Sequence, residues 1–337
     1  MATRTEKYFS GLLGTATVRG AVERAAELAW ASLSPVALPV DVFELARMRG
    51  IQVLEDLCGS GCPEGLLVPK KAGYTVRLRR DTAVARRRFS LAHEMGHTFF
   101  YVDGGAGPRH AIGVLDRSER AAEERICDQF ASGLLMPASE MKRQLPFIPE
   151  ADPSAFLQSI SRLASTFWVS PFVVVSRLRS LEIPSPPCLV IYSSVRPNPK
   201  TLEQPALRVD FCSSLGDWQN RSVWKDRALN SVGLKGPVSL YDAWNSRPGP
   251  GSFSMDDQQR LSTDGHTTSR ITEDVKLSLV TGGRWKNLEE SCVSASRLYS
   301  WKASGGHCGT YVISVVVPAA GLAANSAARP LAVKSVG

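Results

Sequence analysis

Apolar and polar residues follow a helical period through much of the first half of the chain. Between residues 19 and 50, apolar side chains recur three and four positions apart, which predicts two helices. The second is predicted to begin at Pro39-Val40-Asp41 and to end at Gly50, because glycine readily adopts the left-handed conformation that closes helices. The same spacing predicts further helical segments at 83–101, 118–135 and 153–182.

A strand pattern separates the first helices from the segment that follows them. Ile51-Gln52-Val53-Leu54 predicts a short strand, and residues 65–69 and 74–80 predict a hairpin around Lys70-Lys71-Ala72-Gly73. In the second arm of this hairpin, apolar and polar residues alternate, as they do in a half-buried strand. Helices combined with a small sheet indicate the α+β fold class.

The pattern changes again at the proline-rich segment Ile183-Pro184-Ser185-Pro186-Pro187, which is the clearest linker in the chain. Beyond this linker, turn-rich stretches separate short strand-like runs, at 189–192, 207–211, 275–280 and 311–317. We therefore expect a separate, strand-rich module over residues 188–337.

Composition is that of an ordinary soluble protein. The 337 residues, 43% hydrophobic and 21% charged, suit two or three domains. The first 20 residues lack the apolar core of a signal peptide, and no run approaches the roughly 18 apolar residues that span a membrane. Seven irregularly spaced cysteines argue against a disulfide framework. These features predict a cytoplasmic protein without a membrane partner.

The net charge of +8 permits an anionic partner without requiring one. Part of it comes from two basic clusters, Arg79-Arg80 and Arg86-Arg87-Arg88. Either the clusters form a solvated face, or they contact nucleic acid. We favour the solvated face, because clusters of this size are common on protein surfaces.

The sequence His93-Glu94-Met95-Gly96-His97 carries the clearest chemistry. Two histidines four residues apart project from one face of a helix, so both imidazoles can reach one metal ion. A glutamate beside the first histidine can take the proton of a metal-bound water. A metzincin would need glycine at position 100 and histidine at 103, but the chain has Phe100 and Asp103, which excludes that class.

A third ligand is expected from the helix that follows, as in zinc sites with two histidines and a glutamate. The candidates are Glu119, Glu123 and Glu124. Helical phase slightly favours Glu123. However, Glu124 and Asp128 share a helix face, which would pair a ligand with a carboxylate able to hold a ligating histidine. We choose Glu124, with Asp128 behind it.

These residues resemble the ImmA/IrrE family of bacterial metallopeptidases. The resemblance covers about residues 20–140 and rests on RRFSLAHEMGH at 87–97 and ERICDQFASGLLMP at 124–137. In that family the third ligand lies four residues before a position that is usually asparagine. Asp128 occupies that position here, so the resemblance also points to Glu124.

The resemblance implies a compact α+β, zincin-like metallopeptidase domain, which we assign to residues 1–140. Members of the family typically cleave a helix-turn-helix repressor, often encoded nearby, and so relieve repression during stress or mobile-element induction. A protein substrate of this kind is therefore the expected partner. Some relatives carry a sensor domain after the peptidase unit, so a sensory role for residues 188–337 is a hypothesis.

Residues 156–182 resemble the helical segment that follows the peptidase unit in this family, and we assign 141–183 as a helix-turn-helix-like helical segment. Its two predicted helices are spaced like a helix-turn-helix, with Ser170 as N-cap and Pro171 at the first helical position of the second helix. The pair could read DNA, or it could dock on the peptidase domain. We favour docking, because few polar side chains on the second helix could reach base edges.

The sequence thus predicts a zinc endopeptidase in which His93, His97 and Glu124 hold the metal, Glu94 is the base and Asp128 supports a ligand. Manganese or iron would suit the same ligands, and no other cofactor is expected. The alternative is a DNA-binding transcription regulator with a structural metal site. The sequence assigns no side chain to the oxyanion, although Tyr101 and His110 are near the motif along the chain. The three histidines outside the motif are predicted to be loop or surface residues without partners: His110, His266 and His307.

Overall fold

The structure is a computed structural model, and it describes most of the first 183 residues and part of the remainder. The described residues are 2–33, 37–57, 59, 61–71, 73–104, 107–144, 153–183, 188–196, 206–215, 266–267, 292–302 and 308–318. Three sequence predictions lie outside them: the linker residues 184–187, the strand at 275–280 and the position of His307.

Three helices open the chain: α1 (Arg4–Leu12), α2 (Val18–Ala31) and α3 (Val42–Met48). The sequence predictions missed α1, whose N-terminus is closed by reciprocal hydrogen bonds between Thr3 and Glu6. The two predicted helices are confirmed. Asp41 accepts hydrogen bonds from the first backbone amides of α3, and Gly50 follows that helix with a φ of 68°.

A three-stranded sheet follows, formed by β1 (Ile51–Leu57), β2 (Gly65–Lys70) and β3 (Gly73–Arg79). The order is β1-β3-β2, with β3 parallel to β1 and antiparallel to β2. The predicted hairpin is therefore confirmed. Strand β2 lies at one edge of the sheet and packs against the next helix.

Helix α4 (Val84–His97) carries the histidine motif and crosses α5 (Arg117–Leu135). A Cβ atom at Gly96 would lie 3.1 Å from the Cα atom of Cys127, so the close approach of the two helices depends on glycine. The predicted helix at 83–101 is too long at its end. After His97 the chain forms a 3₁₀ turn (Thr98–Phe100) and then two short antiparallel strands, β4 (Tyr101–Asp103) and β5 (Pro108–His110).

Three helices follow α5: α6 (Ala138–Gln144), α7 (Pro153–Phe167) and α8 (Pro171–Ser180). The predicted cap of α8 is confirmed, since the Ser170 side chain accepts a hydrogen bond from the Val173 amide and Pro171 follows it. Arg177 of α8 is 1% exposed and hydrogen-bonds to both carboxylate oxygens of Glu23 and to the backbone oxygen of Met136. Helix α8 therefore packs against α2 and the end of α5, and α7 packs against α8.

The C-terminal part contributes a five-stranded sheet. Its strands are β6 (Cys188–Arg196), β7 (Ala206–Leu215), β8 (His266–Thr267), β9 (Cys292–Lys302) and β10 (Cys308–Pro318). Their order is β7-β6-β10-β9-β8, and all neighbours are antiparallel. Three predicted runs fall within β6, β7 and β10, whereas β9 was not predicted.

One apolar core connects these elements. It includes Phe9 of α1, Leu91 of α4, Phe130 of α5 and Val174 of α8, and it extends to Val315 of β10. The described residues form a mixed helix-and-sheet structure, which is consistent with the α+β class. The boundaries 1–140, 141–183 and 188–337 stay predictions. None of the helices that the structure describes is long and apolar enough to cross a bilayer.

Candidate metal centre

Two helices bring three potential ligands together. His93 and His97 lie on successive turns of α4, and their Nε2 atoms are 3.2 Å apart. From α5, the carboxylate of Glu124 approaches both of them, at 3.2 Å from His93 Nε2 and 3.7 Å from His97 Nε2. The three groups therefore converge on one point between the helices.

The spacing of these atoms suits a zinc ion. Two nitrogens, each 2.0–2.1 Å from a tetrahedral zinc ion, lie about 3.3 Å apart, and the observed separation of the two Nε2 atoms is 3.2 Å. Two imidazoles and one carboxylate also form the donor set of catalytic zinc sites. The residues present therefore fit a divalent metal ion, although neither the donors nor their spacing identify which ion.

Each histidine is held through its other ring nitrogen by a carboxylate. Asp128 Oδ1 lies 2.9 Å from Nδ1 of His93, and Glu123 Oε1 lies 2.7 Å from Nδ1 of His97. A hydrogen bond at Nδ1 places the proton there and leaves the lone pair of Nε2 free to bind a metal. The two supports differ in exposure, since the side chain of Asp128 is 60% exposed and that of Glu123 only 7%.

The three glutamates considered as third ligand have three different positions. Glu119 points away and accepts hydrogen bonds from the backbone of Arg4 and from Thr5, so it caps helix α1. The Thr5 hydroxyl and the backbone amides lower the pKa of Glu119 to about 2. Glu123 meets the Nδ1 side of His97. Of these three, the structure places only Glu124 against the Nε2 atoms.

Glu94 lies beside the ligand group and is 8% exposed. Burial raises the pKa of its carboxyl group, against the effect of the nearby histidines. A Cβ atom at Gly65 would lie 2.8 Å from Glu94 Oε1, so glycine at this position is what lets β2 approach the carboxylate. A buried carboxyl group with a raised pKa is typical of general acid–base catalysts.

The ligand group opens into a pocket of about 660 Å³. Strand β2 lines one side with Leu66 and Leu67, and α5 contributes Arg120. Tyr101 lies in the wall, with its ring edge-on to Tyr74 and its pKa raised by burial and by the charge of Glu123. Within the described part of the chain, no group hydrogen-bonds to the Tyr101 hydroxyl. Its hydroxyl is therefore an unused donor on a residue that lines the pocket.

The prediction that His110 lacks a partner is wrong. Its Nε2 lies 3.0 Å from Glu123 Oε2, and its ring stacks on that of Phe100 at an interplanar angle of 2°. Burial acts to raise the pKa of Glu123, but hydrogen bonds from His97 and His110 outweigh it and hold the pKa below its ordinary value. Sequence reasoning missed this contact because it depends on the pairing of β4 with β5 across a glycine-rich loop.

Carboxylates neutralise much of the two basic clusters that precede the histidine motif. Arg79 pairs with Asp81, Arg86 with Glu64, and Arg87 with Glu55. A further member is turned inward: Arg88 is 5% exposed and donates to the backbone oxygen of Val40, and burial lowers its pKa to about 10. These pairings support the solvated-face interpretation over a nucleic-acid surface.

The family relationship follows from the middle of the chain. Residues 50–179 match the family model for the IrrE N-terminal-like domain, peptidase family M78. This domain belongs to the ImmA/IrrE family. The match runs from β1 through α8, so the helix-turn-helix-like pair lies within the ImmA/IrrE domain rather than beyond it. The family is of the metallopeptidase type, in agreement with the group formed by His93, His97 and Glu124.

Other comparisons add little to this assignment. No curated protein matches the chain. Among solved structures, a Mycobacterium tuberculosis transcriptional regulator is similar with a TM-score of 0.43 and 13% sequence identity, over 96% of this chain and 85% of that one. A likeness of this degree defines neither fold nor function.

Proposed function

We propose that the protein is a zinc-dependent endopeptidase that makes a limited cut in a helix-turn-helix repressor. One observation carries the proposal: two histidines and a glutamate converge next to the buried carboxylate of Glu94, and all four line one open pocket. Structural zinc sites are usually closed and rich in cysteine, whereas catalytic sites keep an open position. The metallopeptidase family of residues 50–179 supports the same conclusion.

In this proposal His93, His97 and Glu124 hold the metal. A zinc ion bound there would polarise the scissile carbonyl group and lower the pKa of a bound water to about 7. Asp128 and Glu123 keep the two imidazoles in the tautomer that presents Nε2. Manganese or iron could take the same place.

Glu94 acts as the general base and then as the general acid. Its carboxylate takes a proton from the attacking water and passes it to the nitrogen of the leaving amine. Burial assists the first step, because it raises the pKa of the carboxyl group and so favours proton uptake. The close contact with β2 at Gly65 helps to hold the carboxylate beside the pocket.

Tyr101 is the proposed donor to the developing oxyanion. The two candidates differ in how their polar atoms are used. Both ring nitrogens of His110 have partners, namely Glu123 at Nε2 and the Ile112 amide at Nδ1. Tyr101 lines the same pocket, and its hydroxyl has no hydrogen-bond partner among the described residues. A hydroxyl that donates only when the carbonyl oxygen becomes negative stabilises the transition state selectively.

Strand β2 suits an extended peptide substrate. It is the edge of its sheet, and no strand among the described residues pairs with its outer side. An extended peptide can add to such an edge through main-chain hydrogen bonds. Leu66 of this strand is 41% exposed and lines the pocket, where it can contact an apolar side chain of the peptide. Since the proposed substrate is a repressor, we propose that cleavage takes place in the cytoplasm.

The alternative of a DNA-binding regulator with a structural metal finds no support in α8. That helix would have to read base edges, yet Arg177 is 1% exposed and its guanidinium group is committed to Glu23. Most of the remaining helix is buried as well, including Val173, Val174 and Leu178. Only a narrow stripe of α8 faces outward, which is too little for a recognition helix.

The proposal is tested by incubating the full-length protein with the helix-turn-helix repressor encoded nearest its gene. The reactions contain zinc, zinc with a chelator, or the Glu94→Gln variant with zinc. We expect one cut that requires the metal and is absent from the variant. A cut made by pure Glu94→Gln protein would contradict the role of Glu94, and an intact repressor in every reaction would contradict the proposed substrate.

A further inference from the structure

The two histidines of the metal centre are supported unequally. His93 is held by Asp128, whose side chain is 60% exposed and bonds to nothing else among the described residues. His97 is held by Glu123, which is buried and uses both of its oxygens. A buried carboxylate is costly unless all of its oxygens are hydrogen-bonded, so the second arrangement needs a further donor.

His110 supplies that donor. The Ile112 amide lies 3.3 Å from His110 Nδ1 and donates to it, so this nitrogen carries the lone pair. The proton of a neutral imidazole then resides on Nε2, which lies 3.0 Å from Glu123 Oε2 and donates to it. The other oxygen of Glu123 accepts from Nδ1 of His97. Each of these three hydrogen bonds therefore has one donor and one acceptor.

The ring of His110 is also held mechanically. It stacks on the fully buried ring of Phe100 and meets the ring of Tyr101 edge-on at 5.5 Å between centroids. His110 pairs with Tyr101 across β4 and β5, and the Phe100 backbone oxygen accepts from the Ala111 amide. The short hairpin β4–β5 thus places one imidazole at a fixed point beside α5.

We propose that Glu123 and His110 form a positioning relay that fixes the orientation of His97 for metal binding. The inference deepens the proposed function and rests on it in taking His97 as a ligand. His110 is a positioning residue, since it acts through Glu123. The relay also gives the hairpin β4–β5 a role, which is to carry the donor that completes the hydrogen bonds of a buried carboxylate.

The relay is tested by replacing His110 with two amides that differ by one methylene group. Asparagine can still accept from the Ile112 amide, but its side chain is too short to reach Glu123. Glutamine can place its amide nitrogen where Nε2 of the histidine lies. Since partners beyond the ligands typically change metal affinity 10–100-fold, we expect His110→Asn to weaken zinc binding about 10-fold and His110→Gln to retain most of it.

The measurement uses the full-length protein and zinc in competition with a chromophoric chelator. The absorption spectrum of the cobalt-substituted protein serves as a second readout, because it reports ligand geometry at the metal. Thermal unfolding of the metal-free variants shows whether the substitutions disturb the fold. His266→Phe, in strand β8 of the C-terminal sheet, controls for the loss of a histidine as such.

Equal zinc affinity and equal cobalt spectra in wild type and His110→Asn would overturn the relay. Equal losses in His110→Asn and His110→Gln would also overturn it, because the donor to Glu123 would then not matter. Failure of the proposed function has a different signature. Wild-type protein that binds zinc through the relay but cuts no repressor leaves the inference intact, whereas wild-type protein that binds neither zinc nor cobalt refutes both.

Discussion

Two helix pairs of this molecule bury charged side chains for different ends. In α4–α5, Glu94 and Glu123 are both under 10% exposed, and they face a pocket that also contains His93 and His97. In α7–α8, Arg177 is 1% exposed, but it faces Glu23 and a backbone oxygen rather than a cavity. Both helix pairs bury charged side chains, but only those of α4–α5 face a pocket.

The comparison separates buried charges that face a pocket from buried charges that serve packing. The two partners of a buried ion pair satisfy each other's hydrogen bonds, so removing one of them lowers the stability of the fold. Glu94 is buried beside a pocket instead of in an ion pair, so we expect its removal to lower activity. The two helix pairs should therefore respond in opposite ways to substitutions of the same kind.

The largest expected effect is on activity, at Glu94. Replacing Glu94 with glutamine preserves its size but removes the base, and loss of a general base typically lowers a rate by 10²–10⁴-fold. We expect kcat for repressor cleavage to fall within this range while zinc affinity stays unchanged. The rate is measured by electrophoresis of the cleavage products, and zinc affinity by chelator competition. A drop in zinc affinity to match the drop in rate would assign Glu94 to the metal instead.

The next effect concerns which glutamate of α5 binds the metal. Glu124→Gln should weaken zinc binding by more than the roughly 10–100-fold expected for a support such as Glu123→Gln, because it removes a ligand rather than a partner of one. Glu119→Gln is the matched control, since this residue bonds to α1. Competition titrations give the three affinities, and an order with Glu123→Gln weakest would favour Glu123 as the ligand.

Much of α5 could be predicted from the sequence, because a helix of known phase fixes which side chains share a face. Both arguments for the third ligand describe real positions in the structure. Helical phase selects Glu123, which is indeed buried, and the i, i+4 pairing selects Glu124 and Asp128, which both approach His93. Phase alone does not decide between them, since adjacent residues of one helix can face opposite sides of the same imidazole.

The contacts made by Tyr101 and His110 could not be predicted in this way. They depend on α4 ending at His97 and on two three-residue strands that pair across a loop, and such short elements leave almost no periodic signal. Helix α1 was missed for a similar reason, although the Thr3–Glu6 capping box is a local signal that could have revealed it. The burial of Arg177 depends on its ion pair with Glu23, which is 154 residues away in the sequence. No local sequence pattern specifies such a contact.

Within α7–α8, substitution of Arg177 should reduce stability and leave zinc binding unchanged. Removing one partner of a buried ion pair typically costs about 3–5 kcal/mol, and Arg177→Met leaves Glu23 without its donor. The exposed Arg179 is the control, and Arg179→Met should change stability by about 0.5 kcal/mol or less. Denaturant unfolding gives the free energies. Normal stability of Arg177→Met combined with loss of specific duplex binding would revive the DNA-reading alternative.

The smallest effect concerns Glu119, a buried charge of α5 that resembles Arg177 in its role. Its carboxylate caps α1, and the Thr5 hydroxyl and backbone amides lower its pKa to about 2 from an ordinary value of 4.5. Because the pKa is lower in the folded state, the unfolded chain takes up the proton first as the pH falls.

The stabilisation of the fold by the ionised Glu119 is therefore complete above pH 4.5 and is lost between that pH and about 2. Urea unfolding at a series of pH values should show the difference between wild type and Glu119→Gln shrinking over this window. A difference that stays constant across it would mean that the charge of Glu119 does not hold α1 on α5.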